Sequence, residues 1–296
     1  MSDSPNMQLE TSPELKVSHC VRPFPGGFFS CCSVLLKDIV RHVGAHNQLI
    51  PCNVNVDELF ELYKPGFGQF HKPHEQGPCV MYKYFQHPDG LDISNMERPP
   101  VGITTFDTGS QYFDYEHIKY AELKPFLKKY FTPANRIQSL STRIKKRYRI
   151  DPTNTCVLLY RGLDKKTETK VCSYEEMLSH ARGIKHNFPD IKFMIQSDET
   201  EFYEFMEENL PNTFSCCSES RHVTNTRSHP QVARFFIKDS GEIGSNYFAI
   251  TLIMAQCRFI ISNHSGNCIL WTCLFRKNAK GVTQFSRNGE WITHSE

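Results

Sequence analysis

The stretch Val157-Leu158-Leu159-Tyr160-Arg161-Gly162-Leu163-Asp164-Lys165 sets a short apolar run directly before a charged turn. Four apolar residues in a row, without polar alternation, predict a strand that is buried on both faces, as in a parallel sheet. Ligands of open parallel sheets bind in the crevice beyond the carboxyl ends of the strands. We therefore expect Arg161, which follows the run at once, to face a binding site.

The residues after this stretch predict alternating helices and strands. Ser173 and Glu176 have the spacing of a capping box, which indicates a helix start, and the run 192–196 predicts the next strand. Asp198 and Glu201 have the same cap spacing before a further helix. The predicted order is thus βαβα.

The same alternation returns towards the C-terminus. Residues 247–256 predict a buried helix, 258–262 a strand and 266–275 another helix. Strands that alternate with helices of this length predict a parallel sheet covered on both faces. Three loops then follow the carboxyl ends of strands: Arg161–Lys165, Gln196–Glu199 and Asn263–Asn267.

Upstream of the opening stretch the patterns are weaker. A strand is predicted at 17–21 and a helix at 33–43, with a turn containing Gly26, Gly27 and Phe28 between them. This turn has neither the G-x-G-x-x-G nor the G-x-x-x-x-G-K spacing, so it predicts neither of those nucleotide-binding loops. A glycine turn that lets a ligand approach the backbone stays open as an interpretation.

The domain organisation follows from a loop-rich middle region. Residues 48–113 predict only short strands, such as 80–85, before helical patterns return at 123–131 and 136–149. We predict three parts: a flexible tail at 1–15, an N-terminal domain at 16–135 and a C-terminal domain at 136–296.

Net charge and apolar runs limit the partners and the location. A formal net charge of +2 in 296 residues gives no global field towards nucleic acid or an anionic membrane. Residues 1–16 are polar and acidic, which predicts no secretory signal and a cytoplasmic protein. The run 248–261 contains Gln256 and Arg258 and is shorter than the roughly 20 residues of a membrane span. No membrane span is predicted.

Arg161 is the residue that we expect to carry catalysis. A planar guanidinium at a strand end can donate two hydrogen bonds to phosphate oxygens and offset the charge that develops as a nucleotide diphosphate leaves. The alternative is a structural arginine paired with Asp164 or Asp198.

Two further loops supply polar groups to the same edge of the predicted sheet. The turn Ser262-Asn263-His264-Ser265-Gly266-Asn267 precedes a helix, so its backbone N–H groups and the Ser265 hydroxyl predict an anion site. An ordinary helix cap is the alternative. Ser197 and Asp198 end a strand, where they fit either a ligand or a cap.

The basic run, the histidines and the cysteines give weaker indications of function. The basic run 143–149, with one tyrosine, fits a solvated helix face or, as an alternative, RNA binding. Neither His229 nor His264 stands in a recognisable metal or triad spacing, and the twelve cysteines form no C-x-x-C pair. We predict no metal site and no nucleic-acid partner.

Together the three strand-end loops resemble the C-terminal half of the fucosyltransferase superfamily, which includes α1,6-fucosyltransferases, bacterial nodulation fucosyltransferases and protein O-fucosyltransferases. Residues 159–165 are similar to the family's His-x-Arg-Arg-x-Asp-Lys motif, with Leu159 for the histidine and Gly162 for the second arginine. Residues 193–199 resemble its strand ending in Thr-Asp-Asp, and 254–266 resemble its buried segment ending in a Ser-Ser turn.

The resemblance implies a GT-B-like α/β fold, in which two Rossmann-like halves with parallel sheets face a central cleft. It implies an inverting, metal-independent glycosyltransferase that needs no cofactor and moves fucose or a related deoxyhexose from a GDP-sugar to a glycan or other hydroxyl acceptor. Arg161 falls on the family's essential arginine, helped by Lys165 and the Ser265 turn. The residues expected at the donor are Arg161, Asp164, Lys165, Ser197, Asp198, Asn263, His264, Ser265 and Gly266, and Gly26, Gly27 and Phe28 are similar to the glycine loop.

The two departures from the motif leave a second hypothesis open. A chain without the histidine and the second arginine also fits a catalytically inactive module that binds a nucleotide or a sugar. A general base is not selected by the sequence, which offers Asp38, Asp107 and Glu242 as candidates.

Overall fold

A computed structural model of the chain describes most of its C-terminal half and parts of its N-terminal half. The described residues are 27–30, 32–34, 36–37, 40, 84–86, 114–163, 165–220, 222–224 and 240–295. Several predictions fall outside them: the tail 1–15, the strand 17–21, Gly26, Asp38, Asp107 and Asp164. The division into domains at 135 and 136 stays a prediction.

The described elements alternate between strands and helices in the C-terminal half. The strands are β1 (Phe85–Gln86), β2 (Thr132–Pro133), β3 (Thr155–Tyr160), β4 (Lys192–Ser197), β5 (Thr213–Ser215), β6 (Phe259–Ser262), β7 (Val282–Phe285) and β8 (Trp291–Thr293). The α-helices described from end to end are α1 (Tyr120–Tyr130), α2 (Asn135–Arg147), α3 (Tyr174–Asn187), α4 (Thr200–Asn209), α5 (Ser240–Met254) and α6 (Asn267–Arg276), and a 3-10 turn spans Tyr115–His117.

Six of these strands form one sheet in the order β5-β4-β3-β6-β7-β8. Neighbours pair in parallel except β7 and β8, which are antiparallel. Numbered from β3, this is the order 3-2-1-4-5-6 of a Rossmann-like unit. The predicted α/β class and the Rossmann-like C-terminal half are confirmed, while the sheet expected in the N-terminal half lies mostly outside the described residues.

Strand β3 lies inside the sheet, paired with β4 on one side and β6 on the other, and all six of its residues are buried. Val157 and Leu159 point into one apolar cluster with residues of α2, α5 and α6, whereas Leu158 and Tyr160 point into a second cluster with α3 and α4. Alternate side chains of a strand point to opposite faces, so an unbroken apolar run is what a sheet covered on both faces requires.

Most predicted elements of this half are present, with two corrections. Helix α3 begins after Ser173 with the predicted capping box, but the N-cap of α4 is Glu199 rather than Asp198. The Asp198 carboxylate hydrogen-bonds to the β3 loop instead. Strands β7 and β8 were not predicted, since their short runs follow a glycine turn and offer no long periodic pattern.

The capping box of α3 offers a measurement of local stability. The Ser173 hydroxyl accepts a hydrogen bond from the Glu176 N–H at 3.1 Å, and the Glu176 carboxylate accepts one from the Ser173 N–H at 2.7 Å. We expect Ser173→Ala to lower the free energy of unfolding by about 1 kcal/mol, because the Glu176 N–H in the first turn loses its acceptor. Ser179→Ala, at an exposed position of the same helix, is the control in urea unfolding. Equal losses in the two variants would contradict the assignment.

A helical segment of the N-terminal half packs against α6. Its described residues are helical from Phe28, earlier than the predicted start at 33, so Phe28 belongs to a helix and not to a glycine loop. Phe29 stacks on Trp271 with ring centroids 6.0 Å apart, and the Trp271 indole N–H donates to the Ser33 hydroxyl at 2.9 Å. The segment therefore reaches the helix that follows β6.

The most apolar run of the sequence lies in α5 and β6 rather than in one continuous helix. Helix α5 has 15 residues, which is below the roughly 20 that cross a bilayer. Among the described residues, no helix combines the length and the apolar character that a membrane crossing requires.

Candidate functional site

The order in which the chain adds strands to the sheet reverses between β3 and β6. From β3 the chain proceeds through α3 to β4 on one side, and from β6 it proceeds through α6 to β7 on the other. The loops after β3 and β6 diverge at such a switch point and leave a crevice in which ligands bind. Arg161 directly follows β3 and Asn263 directly follows β6, so both residues lie at this crevice.

The Asn263 side chain joins the two loops across the switch point. Its Oδ1 accepts a hydrogen bond from the Arg161 backbone N–H at 2.9 Å, and its Nδ2 donates to the Arg161 carbonyl at 3.1 Å. Asn263 is fully buried. Since both polar atoms of the amide are used, Asn263 holds the backbone of Arg161 in place, a role different from the predicted contact with the donor.

Asp198 orients the guanidinium of Arg161. Its Oδ2 accepts from Arg161 Nε at 2.8 Å, and its Oδ1 accepts from the Gly162 backbone N–H at 2.9 Å. The side chains of Arg161 and Asp198 are 25% and 7% exposed. The predicted structural pair therefore exists, and the contact is made by the Nε edge of the guanidinium.

Tyr247 of α5 is a further neighbour of Arg161. Burial raises the pKa of the Tyr247 hydroxyl well above its ordinary value, and its hydrogen bond with the Arg161 guanidinium partly opposes this rise. The hydroxyl therefore stays protonated at neutral pH. It adds a second side chain that fixes where the guanidinium points.

The turn after β6 differs in one respect from the prediction. The Ser265 hydroxyl, expected to face the crevice, donates to the Phe285 carbonyl at 3.2 Å and accepts from Gln284 Nε2 at 3.1 Å. Both of these partners belong to β7, so the prediction of a hydroxyl that faces an anion was wrong. The turn instead offers backbone groups, because the N-cap of α6 is Gly266, which has no side chain to cap the helix.

Backbone N–H groups of an uncapped first turn attract anions, because the helix dipole places partial positive charge there. The Gly266 N–H itself donates to the Tyr115 hydroxyl at 3.2 Å. The first residues of α6 follow the turn that Asn263 ties to the backbone of Arg161.

His264 supports this turn from inside. Its Nδ1 lies 2.8 Å from Asn263 Oδ1, which can only accept, so Nδ1 carries the hydrogen. A Cβ at Gly266 would lie 2.8 Å from two atoms of the imidazole, which explains the glycine. His264 and Gly266 thus shape the turn that was predicted to bind the donor.

Gly162, where the family motif has a second arginine, is tied to a buried carboxylate. A Cβ at Gly162 would overlap the carboxylate of Glu199, which is fully buried. Glu199 accepts from Lys166 Nζ at 2.7 Å and from the Tyr174 hydroxyl at 2.7 Å. The lack of a side chain at Gly162 leaves space for the buried Glu199 carboxylate, and we call this contact the Gly162–Glu199 arrangement. The sequence patterns did not indicate it.

The remaining predicted residues contact other groups of the protein or lie exposed, and their roles at the donor stay predictions. The Ser197 hydroxyl accepts from the Glu199 N–H at 3.0 Å, and Lys165 pairs with Glu168. Gly27 is described, and no described atom lies within 4 Å of a Cβ built on it. Glu242, a candidate base, lies exposed on α5.

The basic run 143–149 spans the end of α2 and the turn after it. Ile144 is buried, Arg147 pairs with Glu219, and the Tyr148 hydroxyl donates to the Glu219 carboxylate at 2.7 Å. The tyrosine that could stack on a base is therefore tied to an acidic neighbour, as on a solvated helix face.

Comparisons with known proteins gave similarity in structure only. No family model matches the chain, and no curated protein matches its sequence. It is similar to a NodZ α-1,6-fucosyltransferase co-crystallised with GDP, at 13% identity and a TM-score of 0.38, over 59% of this chain and 51% of that one. It spans about half of that structure.

Two further solved structures align over nearly their full length. A NodZ α-1,6-fucosyltransferase soaked with GDP-fucose has 12% identity and a TM-score of 0.47, covering 92% of this chain and 97% of that one. A fucosyltransferase NodZ from Bradyrhizobium has 11% identity and a TM-score of 0.44, covering 91% and 95%. These are proteins of the kind that the sequence resemblance names.

Proposed function

We propose that this chain is a glycosyltransferase that transfers a sugar from a nucleoside diphosphate to a hydroxyl acceptor. The observation that carries the proposal is the position of Arg161, at the carboxyl end of the central strand and at the switch point. Asp198 holds its Nε edge at 2.8 Å and Asn263 holds its backbone at 2.9 Å. A preorganised cation beside a helix N-terminus is suited to a diphosphate.

The proposed reaction is an inverting displacement. The acceptor hydroxyl oxygen forms a bond to the anomeric carbon while the bond from that carbon to the diphosphate oxygen breaks, and its electron pair leaves with the diphosphate. The acceptor proton passes to a base. Arg161 and the first N–H groups of α6 stabilise the negative charge that grows on the diphosphate, which is where fixed positive charge lowers a barrier most. The reaction needs no cofactor.

The donor that we propose is GDP-fucose or a related GDP-deoxyhexose, on the strength of the sequence resemblance. Residues 136–296 would bind it, and residues 16–135 would bind a glycan or another hydroxyl acceptor. The cytoplasm is the proposed location.

A panel of nucleotide sugars tests the proposal. GDP-fucose, GDP-mannose, UDP-glucose and UDP-galactose are compared by thermal shift and by nucleotide release in the presence of mixed glycans. We expect GDP-fucose to raise Tm and to be consumed fastest. Preference for a UDP-sugar would overturn the donor, and the lack of a response to any nucleotide sugar would overturn the function.

The Gly162–Glu199 arrangement favours one alternative. A buried acid fills the space where the second arginine of the motif would begin, which fits a module that binds the nucleotide without turning over the sugar. In the same panel this alternative predicts a GDP-dependent rise in Tm without nucleotide release.

A further inference from the structure

His294, which follows β8, is a buried histidine whose Nδ1 has no hydrogen-bond partner among the described residues. Its side chain is 1% exposed. Its other ring nitrogen, Nε2, lies 2.9 Å from Gln284 Oε1. A buried polar atom without a partner costs about 1–3 kcal/mol, so its presence needs an explanation.

The neighbours of Gln284 settle which nitrogen of His294 carries the hydrogen. Gln284 Oε1 also accepts from the Tyr115 backbone N–H at 3.3 Å, and Gln284 Nε2 donates to the Ser265 hydroxyl at 3.1 Å. The amide is therefore oriented with its oxygen towards His294, and Nε2 must donate to it. In the neutral imidazole Nδ1 then carries the lone pair, which is the form that binds a metal ion.

Two carboxylates face this lone pair. Asp114 Oδ1 lies 3.5 Å and Glu116 Oε1 lies 3.4 Å from His294 Nδ1, and all three ligand atoms lie within 4.8 Å of one another. Charge-assisted hydrogen bonds are shorter, at about 2.7–2.9 Å. Ligands about 2.0–2.1 Å from a tetrahedral Zn²⁺ are about 3.3–3.4 Å apart, so the distance to Glu116 falls in this range and that to Asp114 lies just above it.

The acids are also placed so that an ion can enter. The side chains of Asp114 and Glu116 are 29% and 60% exposed, whereas the histidine closes the inner side. Asp114 Oδ1 accepts from the Glu116 backbone N–H at 2.9 Å, which stabilises the short turn 114–117. The three groups thus form a half-open cup with one buried nitrogen and two oxygens.

We propose that His294, Asp114 and Glu116 bind a divalent cation of the class that accepts imidazole and carboxylate ligands, with Zn²⁺ as the first choice and Co²⁺ and Mn²⁺ as substitutes. Water completes its coordination. The sequence offered no sign of this site, because its ligands come from distant parts of the chain and have no motif spacing.

The cation has a structural role next to the donor crevice. Tyr115 lies between the two acids, and its hydroxyl receives the Gly266 N–H at the start of α6. Gln284 connects His294 with the Ser265 hydroxyl of the same turn. An ion that fixes residues 114–116 against β8 therefore fixes the turn that precedes α6, without taking part in the transfer.

Calorimetric titration tests the site on the full chain after dialysis against EDTA. We expect one equivalent of Zn²⁺ to bind and to raise Tm. Glu116→Gln should weaken binding by at least about 10-fold and leave the circular dichroism spectrum unchanged, since Glu116 is exposed. Glu122→Gln, at a partly exposed acid on α1 that pairs with Lys119, is the control and should bind as the parent does.

His294→Gln, with His117→Gln as its control, repeats the test at the buried ligand. The exposed His117 imidazole lies 3.7 Å from the other oxygen of Asp114, so it controls for loss of a nearby imidazole. Bound Co²⁺ should give a visible spectrum without thiolate charge-transfer bands. The absence of binding in the parent protein, equal affinity of Glu116→Gln and the parent, or thiolate bands would each overturn the site.

Discussion

Replacing Arg161 with alanine is expected to lower the rate of nucleotide release from the donor sugar by about 10²–10³-fold, or about 2.7–4 kcal/mol in the barrier, because a preorganised donor to the leaving diphosphate is lost. Arg161→Lys keeps the charge but not the planar fork, so we expect it to recover part of the loss. The measurement is steady-state nucleotide release with the preferred donor.

In Arg161→Ala the Asp198 carboxylate also loses the guanidinium that pairs with it. A carboxylate that is only 7% exposed would stand without a cation, and we expect the free energy of unfolding to fall by about 1–3 kcal/mol. The double variant Arg161→Ala/Asp198→Asn removes that charge and should regain stability but not turnover. Arg182→Ala, at an exposed arginine of α3 that donates to the Asn209 carbonyl, should change neither quantity. If the double variant regains turnover, Arg161 is a structural residue only.

Gly162→Ala is expected to destabilise the protein by about 2–4 kcal/mol. The added methyl group would overlap the Glu199 carboxylate and force a buried charge away from Lys166 and the Tyr174 hydroxyl. Gly183→Ala is the matched control, since Gly183 is an exposed position of α3 and no described atom lies within 4 Å of a Cβ there. We expect this control to stabilise the chain by about 0.5–1 kcal/mol.

A double-mutant cycle separates steric overlap from a general intolerance of side chains at this position. In Gly162→Ala/Glu199→Ala the methyl group has room, so the double variant should be no less stable than Glu199→Ala alone. Urea unfolding gives all four free energies. Additive losses, or a Gly162→Ala variant as stable as Gly183→Ala, would argue against the arrangement.

Local patterns carried much of the prediction of the fold. The apolar run at 157–160 and the capping box at Ser173 and Glu176 correspond to β3 and to the start of α3, because a doubly buried strand and a capped helix each leave a signal within a few residues. The carboxyl end of β3 could therefore be located from the sequence without knowing which strands lie beside it. Arg161 and Asn263 were placed at the right edge of the sheet by this reasoning.

The partners of each side chain could not be predicted in the same way. For Asp198 the sequence left two interpretations open, an N-cap and an ion pair with Arg161, and the folded chain has the ion pair. Ser265 was misjudged because β7, which takes its hydroxyl, was not predicted. His294 and its two acids meet only once β8 has closed the sheet.

The side chain of Asn263 acts as a surrogate peptide group one step beyond the last backbone pairing of β3 and β6, which ends at Leu159 and Ser262. Strand ends ordinarily fray at little free-energy cost, and the width of any gap between them fluctuates accordingly. Here the side-chain amide of Asn263, after β6, spans the gap and hydrogen-bonds to both the N–H and the carbonyl of Arg161, after β3. The separation of the two strand ends is thereby fixed by the protein itself in the absence of a ligand.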